Sequence, residues 1–199
     1  MDVGEVKKIE VLGDIMQFEY GGDTGCPIVS WLRNRLRAAG CCFDSGLPEA
    51  TLTLLYSGID TLGLLAAAPN VKDATRATFI DWSEQYLVTR LKSIDGKPLT
   101  ALDLYAARCG ILHTSSSVSR LGREGTARDI FYQFQGKHGA NLGLIAKLEP
   151  VILDIGHFAM TFKEGSLAFI AYLNQDPTRI ETALARALTF FRWGTLCGA

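Results

Sequence analysis

The stretch DLYAARCGILHTSSS, residues 103–117, has the pattern of an amphipathic helix that ends in a run of hydroxyl side chains. Apolar residues recur at helical spacing, which predicts one buried stripe on a continuous helix over residues 102–113. The members of that stripe are Leu102, Tyr105, Ala106, Cys109, Leu112 and, four residues after Cys109, His113. Gly110 weakens a helix, and the serines after His113 are typical of a helix end. The stretch therefore predicts a helix that carries an arginine and a histidine close to its C-terminal end.

Segments with helical patterns flank this stretch on both sides. Proline stands at the start of three of them, where it suits a first helical turn, and Thr100 with Asp103 resembles a capping box that opens the central helix. The predicted helices cover about residues 27–39, 48–66, 73–87, 100–113, 127–135, 158–173 and 177–193. Because short turns separate them, the fold class is predicted to be all-α, an up-and-down helical bundle of five or more helices.

Two short segments have patterns that fit a strand as well as a helix. Residues 6–20 read VKKIEVLGDIMQFEY, and a turn at Gly13-Asp14 predicts a small N-terminal β-hairpin, with a short helix as the alternative. The stretch PVILDI, residues 150–155, predicts a short strand or an extended entry to the next helix. The chain is accordingly divided into residues 1–26, a hairpin or appendage, and residues 27–199, the helical bundle domain.

Composition narrows the class of protein. The 199 residues are 48% hydrophobic and 21% charged, which is ordinary for one globular domain and wrong for a disordered chain. The formal net charge of −1 means that any nucleic acid must be bound by a local basic patch rather than by bulk charge. No apolar run reaches the length of a membrane span, and the N-terminus lacks the apolar core of a signal peptide, so no membrane association is expected.

Cysteine usage indicates the expected compartment. The chain has five cysteines, an odd number, and none of them forms a CxxC pair. This pattern argues against a disulfide framework and against a structural zinc site. It fits reduced thiols in a bacterial-type cytoplasm, so we expect a cytoplasmic protein.

The arginine and the histidine of the central stretch have a spacing that limits how they can work together. Arg108 precedes His113 by five residues, so on a straight helix the two positions lie about 140° apart. The spacing predicts that they do not point at one target unless the helix yields near Gly110. Alternatively, a second copy of the chain completes the site across a two-fold axis.

The segment from Arg108 to His113 resembles the R-x4–6-H motif of the HEPN superfamily, helical-bundle domains found as ribonucleases, toxins or partners of nucleotidyltransferases. The helical layout is similar over roughly residues 27–135, extending towards Trp193. The stretches DLYAARCGILHT and FIDWSEQYL also look like an uncharacterised bacterial family of this general kind. The resemblance implies a homodimer whose cleft holds two copies of the motif. Cys109 departs from the family pattern, which usually has a polar residue directly after the arginine.

The resemblance implies metal-independent cleavage of RNA with no cofactor. His113 would act as general base or acid, and Arg108 would stabilise charge on the phosphate. Substrate-binding roles are expected for the hydroxyls and cations that follow. These residues are Ser115, Ser116, Arg120 and Arg123, with Arg128 as a further member of a local phosphate patch.

Structural interpretations stand beside these functional ones. His113 can be a half-buried histidine that closes the apolar stripe, and Arg108 a cation that the helix dipole favours near a C-terminus. Asp60 can pair with Arg108 from a neighbouring helix or be a plain surface aspartate. Cys109 and His113 have the spacing of two metal ligands, but no other cluster supplies the remaining ones, so no metal site is predicted. The alternative function is a non-catalytic helical dimer or a module that binds a protein or nucleotide partner.

Overall fold

The computed structural model describes residues 26–114, 119–138 and 147–191. Within these ranges the chain forms seven α-helices, one π-helical turn and three short strands. The helices are α1 (Pro27–Asp44), α2 (Pro48–Ala66), α3 (Arg76–Ser83), α4 (Ala101–Thr114), α5 (Arg120–Glu124), α6 (Ile155–Leu173) and α7 (Pro177–Phe190), and the π-helical turn Glu84–Val88 continues α3. The strands are β1 (Ile130–Phe134), β2 (Lys137–His138) and β3 (Val151–Asp154).

The helices begin at residues whose chemistry favours a helix start. Proline occupies the first position of α1, α2 and α7, where its fixed φ suits the helix and its missing N–H is not needed. Thr75 caps α3 by accepting a hydrogen bond from the backbone N–H of Thr78, and Asp154 caps α6 in the same way through His157. These starts confirm the helix-opening signals of the sequence at the three prolines.

Helix α2 lies at the centre of the molecule. It packs against α1, α3, α4, α6 and α7, and its residues Leu55, Tyr56, Ile59 and Leu62 are fully buried. Its last residue, Ala66, is exposed. A helix that contacts five others places its polar residues close to several neighbours, and Asp60 is one of these polar residues.

A small mixed sheet adds a β component to the predicted all-α bundle. Its strand order is β2-β1-β3, with β1 antiparallel to β2 and parallel to β3. The turn between β1 and β2 has Gln135 at φ 48° and Gly136 at φ 73°, as a two-residue hairpin turn requires. The fold is therefore mostly helical, and a strictly all-α class is too narrow.

Two predicted helices differ from the structure. The predicted helix over residues 127–135 is wrong, because Ile130–Phe134 forms the central strand β1. The predicted helix over residues 73–87 begins later, at Arg76, and changes to π-helical pairing at Glu84. The stretch PVILDI does form a strand, β3, as one of its two interpretations predicts. The predicted N-terminal hairpin lies outside the described residues.

Neither a membrane-spanning helix nor a disulfide is found within the described residues. In the described ranges no helix combines the length and the apolar character needed to cross a membrane. Cys26, Cys41, Cys42 and Cys109 are free thiols there.

A buried pair of tyrosines joins the sheet to α2. The hydroxyl groups of Tyr56 and Tyr132 share a short hydrogen bond, and Tyr56 has no solvent-exposed surface. Burial raises the pKa of Tyr56, against the lowering effect of the hydrogen bond from Tyr132. Both side chains therefore stay neutral phenols, and each supplies the hydrogen-bond partner that the other needs.

We expect this pair to show non-additive substitution effects. Tyr56→Phe should lower the free energy of unfolding by about 1–2 kcal/mol, because it leaves the Tyr132 hydroxyl buried without a partner. Adding Tyr132→Phe should recover most of the loss, since the double variant buries no orphan hydroxyl. Urea unfolding followed by circular dichroism measures all three variants. Two single losses that simply add in the double variant would contradict this coupling.

Candidate functional site

Helix α4 carries Arg108 and His113 in its C-terminal half and runs without a break through Gly110. Its start is fixed by a reciprocal cap. The backbone N–H of Asp103 donates to Thr100 Oγ1 at 3.1 Å, and the backbone N–H of Thr100 donates to Asp103 Oδ2 at 3.0 Å. This confirms the predicted capping box, and it gives the arginine and the histidine a regular helical scaffold.

The side chains of Arg108 and His113 are in direct contact within one chain. Arg108 Nη1 lies 3.1 Å from His113 Nε2, which is hydrogen-bonding distance. The prediction that a straight helix keeps the two apart is therefore wrong, and neither a break at Gly110 nor a second chain is needed. The angle of about 140° describes where the side chains leave the helix. The long, flexible arginine side chain bends around the helix surface and closes that gap.

The contact indicates which hydrogen-bonding role His113 Nε2 has. A guanidinium can only donate hydrogen bonds, so His113 Nε2 is the acceptor in a hydrogen bond with Arg108. The side chain of His113 is exposed, although the apolar stripe predicts it to be half-buried. Of the predicted stripe only Ala106 is fully buried, and the buried apolar residues of α4 are otherwise Ala101, Leu104 and Ala107. The imidazole of His113 thus faces solvent beside a cation.

Asp60 holds the guanidinium of Arg108 from the neighbouring helix α2. Its Oδ2 accepts a hydrogen bond from Arg108 Nε at 2.9 Å and forms an ion pair with Nη2 at 2.8 Å, while Nη1 remains directed at His113. The two side chains are 16% and 20% exposed, so the pair is largely shielded from water. Of the two interpretations of Asp60, the pairing with Arg108 is confirmed.

Burial and charge act in opposite directions on this pair. Burial raises the pKa of Asp60, and the hydrogen bond and the charge of Arg108 offset part of that effect. Burial lowers the pKa of Arg108, but the hydrogen bond and the charge of Asp60 outweigh it and raise the pKa overall. The guanidinium therefore keeps its charge beside His113.

Tyr105 lies under the cationic part of the site. Its ring centroid is 6.0 Å from the guanidinium carbon of Arg108 and 5.6 Å from that of Arg76 at the start of α3. Burial raises the pKa of Tyr105, and the side chain of Cys109, hydrogen bonded to its hydroxyl, adds to the effect. Sequence reasoning missed the role of this tyrosine. Its spacing of three residues before Arg108 was a usable signal, whereas Arg76 comes from another helix and gave none.

The other predicted substrate contacts are not assembled around Arg108 and His113. Ser115 and Ser116 lie outside the described residues. Arg120 and Arg123 are exposed on α5, where Arg120 pairs with Glu124 at 3.7 Å. In the described ranges no hydrogen bond or ion pair joins these two arginines to Arg108 or His113. Their predicted role in phosphate binding stays a prediction.

Arg128 is held inside the fold by Asp103. Its guanidinium Nη2 lies 2.8 Å from Asp103 Oδ2, and its backbone N–H donates to Asp103 Oδ1 at 2.7 Å. The same nitrogen, Nη2, also donates to the carbonyl of Pro98. Arg128 therefore ties the loop before β1 to the start of α4, and its charge is already matched.

Metal-binding clusters and similarity to known proteins both bear on what the site could do. Over the described residues, no three side chains of His, Cys, Asp or Glu cluster as metal ligands do. Comparisons of the chain with protein-family models, with curated proteins and with solved structures found no match. What points to a function is therefore the geometry around Arg108 and the sequence motif.

Proposed function

We propose that this protein is a metal-independent endoribonuclease in which Arg108 and His113 act together at the end of α4. The observation that carries the proposal is the 3.1 Å contact between Arg108 Nη1 and His113 Nε2 at an exposed histidine. Cleavage of RNA by its own 2′-hydroxyl needs a group that takes up a proton and a cation that stabilises the phosphate. These are the two groups that the helix brings into contact.

The reaction follows from the donor and acceptor roles of the two side chains. When an RNA phosphate takes the hydrogen bond of Arg108 Nη1, His113 Nε2 is freed to accept the proton of the ribose 2′-hydroxyl. The 2′-oxygen then attacks phosphorus, and the bond to the 5′-oxygen of the next nucleotide breaks. That oxygen leaves with a proton from solvent or from His113. The products are a 2′,3′-cyclic phosphate and a free 5′-hydroxyl, and no electron transfer is needed.

Asp60 supports this step by fixing the arginine. It binds Nε and Nη2 through one oxygen and leaves Nη1 available for the histidine or a phosphate. A guanidinium held in this way loses little freedom when it binds an anion, so its charge is oriented before the substrate arrives. We assign Asp60 a positioning role, since it contacts Arg108 and not the reacting atoms.

We also propose that the chain is HEPN-like and acts as a homodimer. The R-x4–6-H motif and the mostly helical fold support this assignment. Because Arg108 meets His113 within one chain, the second subunit is not required to form the pair. Its contribution would be a facing copy of the same pair, which would place two cationic sites along one bound RNA strand.

The alternative function is a non-catalytic, partner-binding helical module. It is favoured by the ion pair itself, since Asp60 engages two of the three guanidinium nitrogens and links α2 to α4 as a purely structural pair would. In this case the Arg108–His113 contact is a by-product of helix packing. The two functions differ in whether the chain cleaves RNA and whether His113 is required.

RNA cleavage in the presence of EDTA tests the proposal. The wild-type protein should cleave a mixed-sequence oligoribonucleotide, and His113→Ala should lower the rate at least 100-fold, because proton transfer by a positioned side chain contributes at least that much. Product analysis should show 2′,3′-cyclic phosphate ends. The same RNA with a 2′-deoxy sugar at the cleavage position should resist cleavage there.

The matched control for this experiment is His157→Ala. His157 is also exposed, but it lies in the first turn of α6, where its Nε2 accepts a hydrogen bond from the backbone of Lys92 at 3.3 Å. This variant should cleave RNA at the wild-type rate. Equal rates for wild type and His113→Ala, or loss of all cleavage in EDTA, would refute the mechanism, provided that circular dichroism shows both variants folded.

A further inference from the structure

We propose that Arg76 is a second phosphate-binding residue of this site. Through it the site prefers oligonucleotides to dinucleoside monophosphates. The inference rests on the proposed function in one respect, namely that the phosphate at Arg108 is the one cleaved. Arg76 would contact a neighbouring phosphate of the same strand. Nothing in the motif or its spacing selects this residue, because it belongs to α3.

Arg76 is held in place without being neutralised. It is exposed, its guanidinium stands over the ring of Tyr105, and in the described ranges no carboxylate pairs with it. Other ordered cations nearby in the fold have such partners, as Arg108 has Asp60 and Arg128 has Asp103. A cation that is oriented by an aromatic ring and lacks a counter-charge is suited to bind an anion from solution.

The position of Arg76 connects it to the Arg108 site. Both guanidinium carbons lie within 6.0 Å of the same Tyr105 ring centroid, so they are no more than about 12 Å apart. Neighbouring phosphates of one RNA strand fit within that span. Single-stranded nucleic acids are commonly bound by cations combined with aromatic rings, and here two cations lie against one tyrosine ring.

The N-terminal end of α3 adds positive charge next to the Arg76 side chain. Arg76 is the first residue of this helix, and the partial positive charge of a helix N-terminus adds to that of its side chain. The cap formed by Thr75 and Thr78 keeps that end of the helix regular. Arg76 therefore presents its cation from a rigid base, as a binding residue requires.

The test compares substrates with and without the extra phosphate. Arg76→Gln should lower kcat/KM about 10-fold on a pentaribonucleotide through a higher KM, with kcat little changed. On a dinucleoside monophosphate, which has only the scissile phosphate, the variant should match the wild type. Arg179→Gln is the control, because Arg179 also stands over a tyrosine ring, that of Tyr172 at 4.1 Å, but lies on α7. Equal kinetics of Arg76→Gln and Arg179→Gln on the pentanucleotide would overturn the proposal.

A binding experiment separates this proposal from the proposed function. A fluorescein-labelled 2′-deoxy pentanucleotide cannot be cleaved, and its affinity is measured by anisotropy at several salt concentrations. Arg76→Gln should weaken binding and reduce the slope of log affinity against log salt by about 0.7, the value for one phosphate contact. If wild type binds but never cleaves RNA and the variant still shows this loss, the ribonuclease proposal fails and the Arg76 site stands. An unchanged slope, or no binding by the wild type, overturns the Arg76 site.

Discussion

Replacing Asp103 with alanine is expected to lower the free energy of unfolding by about 3–5 kcal/mol. The carboxylate is 3% exposed and accepts from the backbone N–H of Thr100, the backbone N–H of Arg128 and the guanidinium of Arg128. Alanine removes one of the two hydrogen bonds that cap α4 and leaves the Arg128 cation in a largely buried place without its partner. The measurement is urea unfolding monitored by circular dichroism.

Two variants show whether the unpaired charge is the cause. Asp81→Ala changes an exposed aspartate on α3 that has no ion pair in the described ranges, and it should alter stability by less than about 0.5 kcal/mol. Adding Arg128→Met to Asp103→Ala should recover part of the loss, since no buried cation then lacks a partner. A loss below about 1 kcal/mol for Asp103→Ala would show that the pair is not a structural anchor. Arg128 would then again be a candidate for the phosphate patch.

Local signals in the sequence were enough to predict most of the helices. Proline at positions 27, 48 and 177 and the Thr100–Asp103 cap each act within one helical turn, so neighbouring residues alone fix where those helices begin. The end of α1 was predicted less well. The predicted helix ends at Ala39, whereas the helix in the structure continues to Asp44. That extension includes Phe43, whose ring packs edge-on against Phe134 of β1, and such a distant contact leaves no mark in the local pattern.

The sheet depends on pairing between distant residues. Ile130–Phe134 is a short apolar and aromatic run, and periodicity alone does not separate a strand of that length from a helical turn. What decides its structure is the parallel pairing with Val151–Asp154 and the bond between Tyr132 and Tyr56 of α2. Both partners are far away in sequence, so the pattern within residues 127–135 could not show them.

Some residues of the candidate site could be selected from the sequence, but the contacts between them could not. The motif selected Arg108 and His113, and the polar face of α2 suggested Asp60. The angle of about 140° between the two positions did not predict the contact, because it ignores the length of the arginine side chain. That side chain reaches His113 Nε2 along the helix surface. Arg76 was missed because it comes near Tyr105 only when α3 packs on α4. Tyr105 was assigned to the apolar stripe of α4 and not to the site.

The second large effect is expected at Gly63, where the backbones of α2 and α3 are in close contact. A Cβ atom at this position would lie 2.4 Å from the carbonyl oxygen of Thr78, a backbone atom that cannot rotate away. Gly63→Ala should therefore push the two helices apart and lower the free energy of unfolding by about 3 kcal/mol. Urea unfolding gives the stability, and RNA cleavage should fall as well. Gly63 is one turn after Asp60, and Thr78 is two residues after Arg76, so the same displacement moves both sides of the site.

Gly40→Ala in α1 is the matched control, because a Cβ atom there would have nothing within 4 Å. Alanine has the higher helix propensity, so this variant should gain about 0.5–1 kcal/mol and cleave RNA at the wild-type rate. If both glycine variants gain stability, the close approach of α2 and α3 is not what fixes these helices. If Gly63→Ala loses stability but keeps full cleavage, the distance between Asp60 and Arg76 does not matter for catalysis. Loss of both in Gly63→Ala alone would tie the site to this single helix contact.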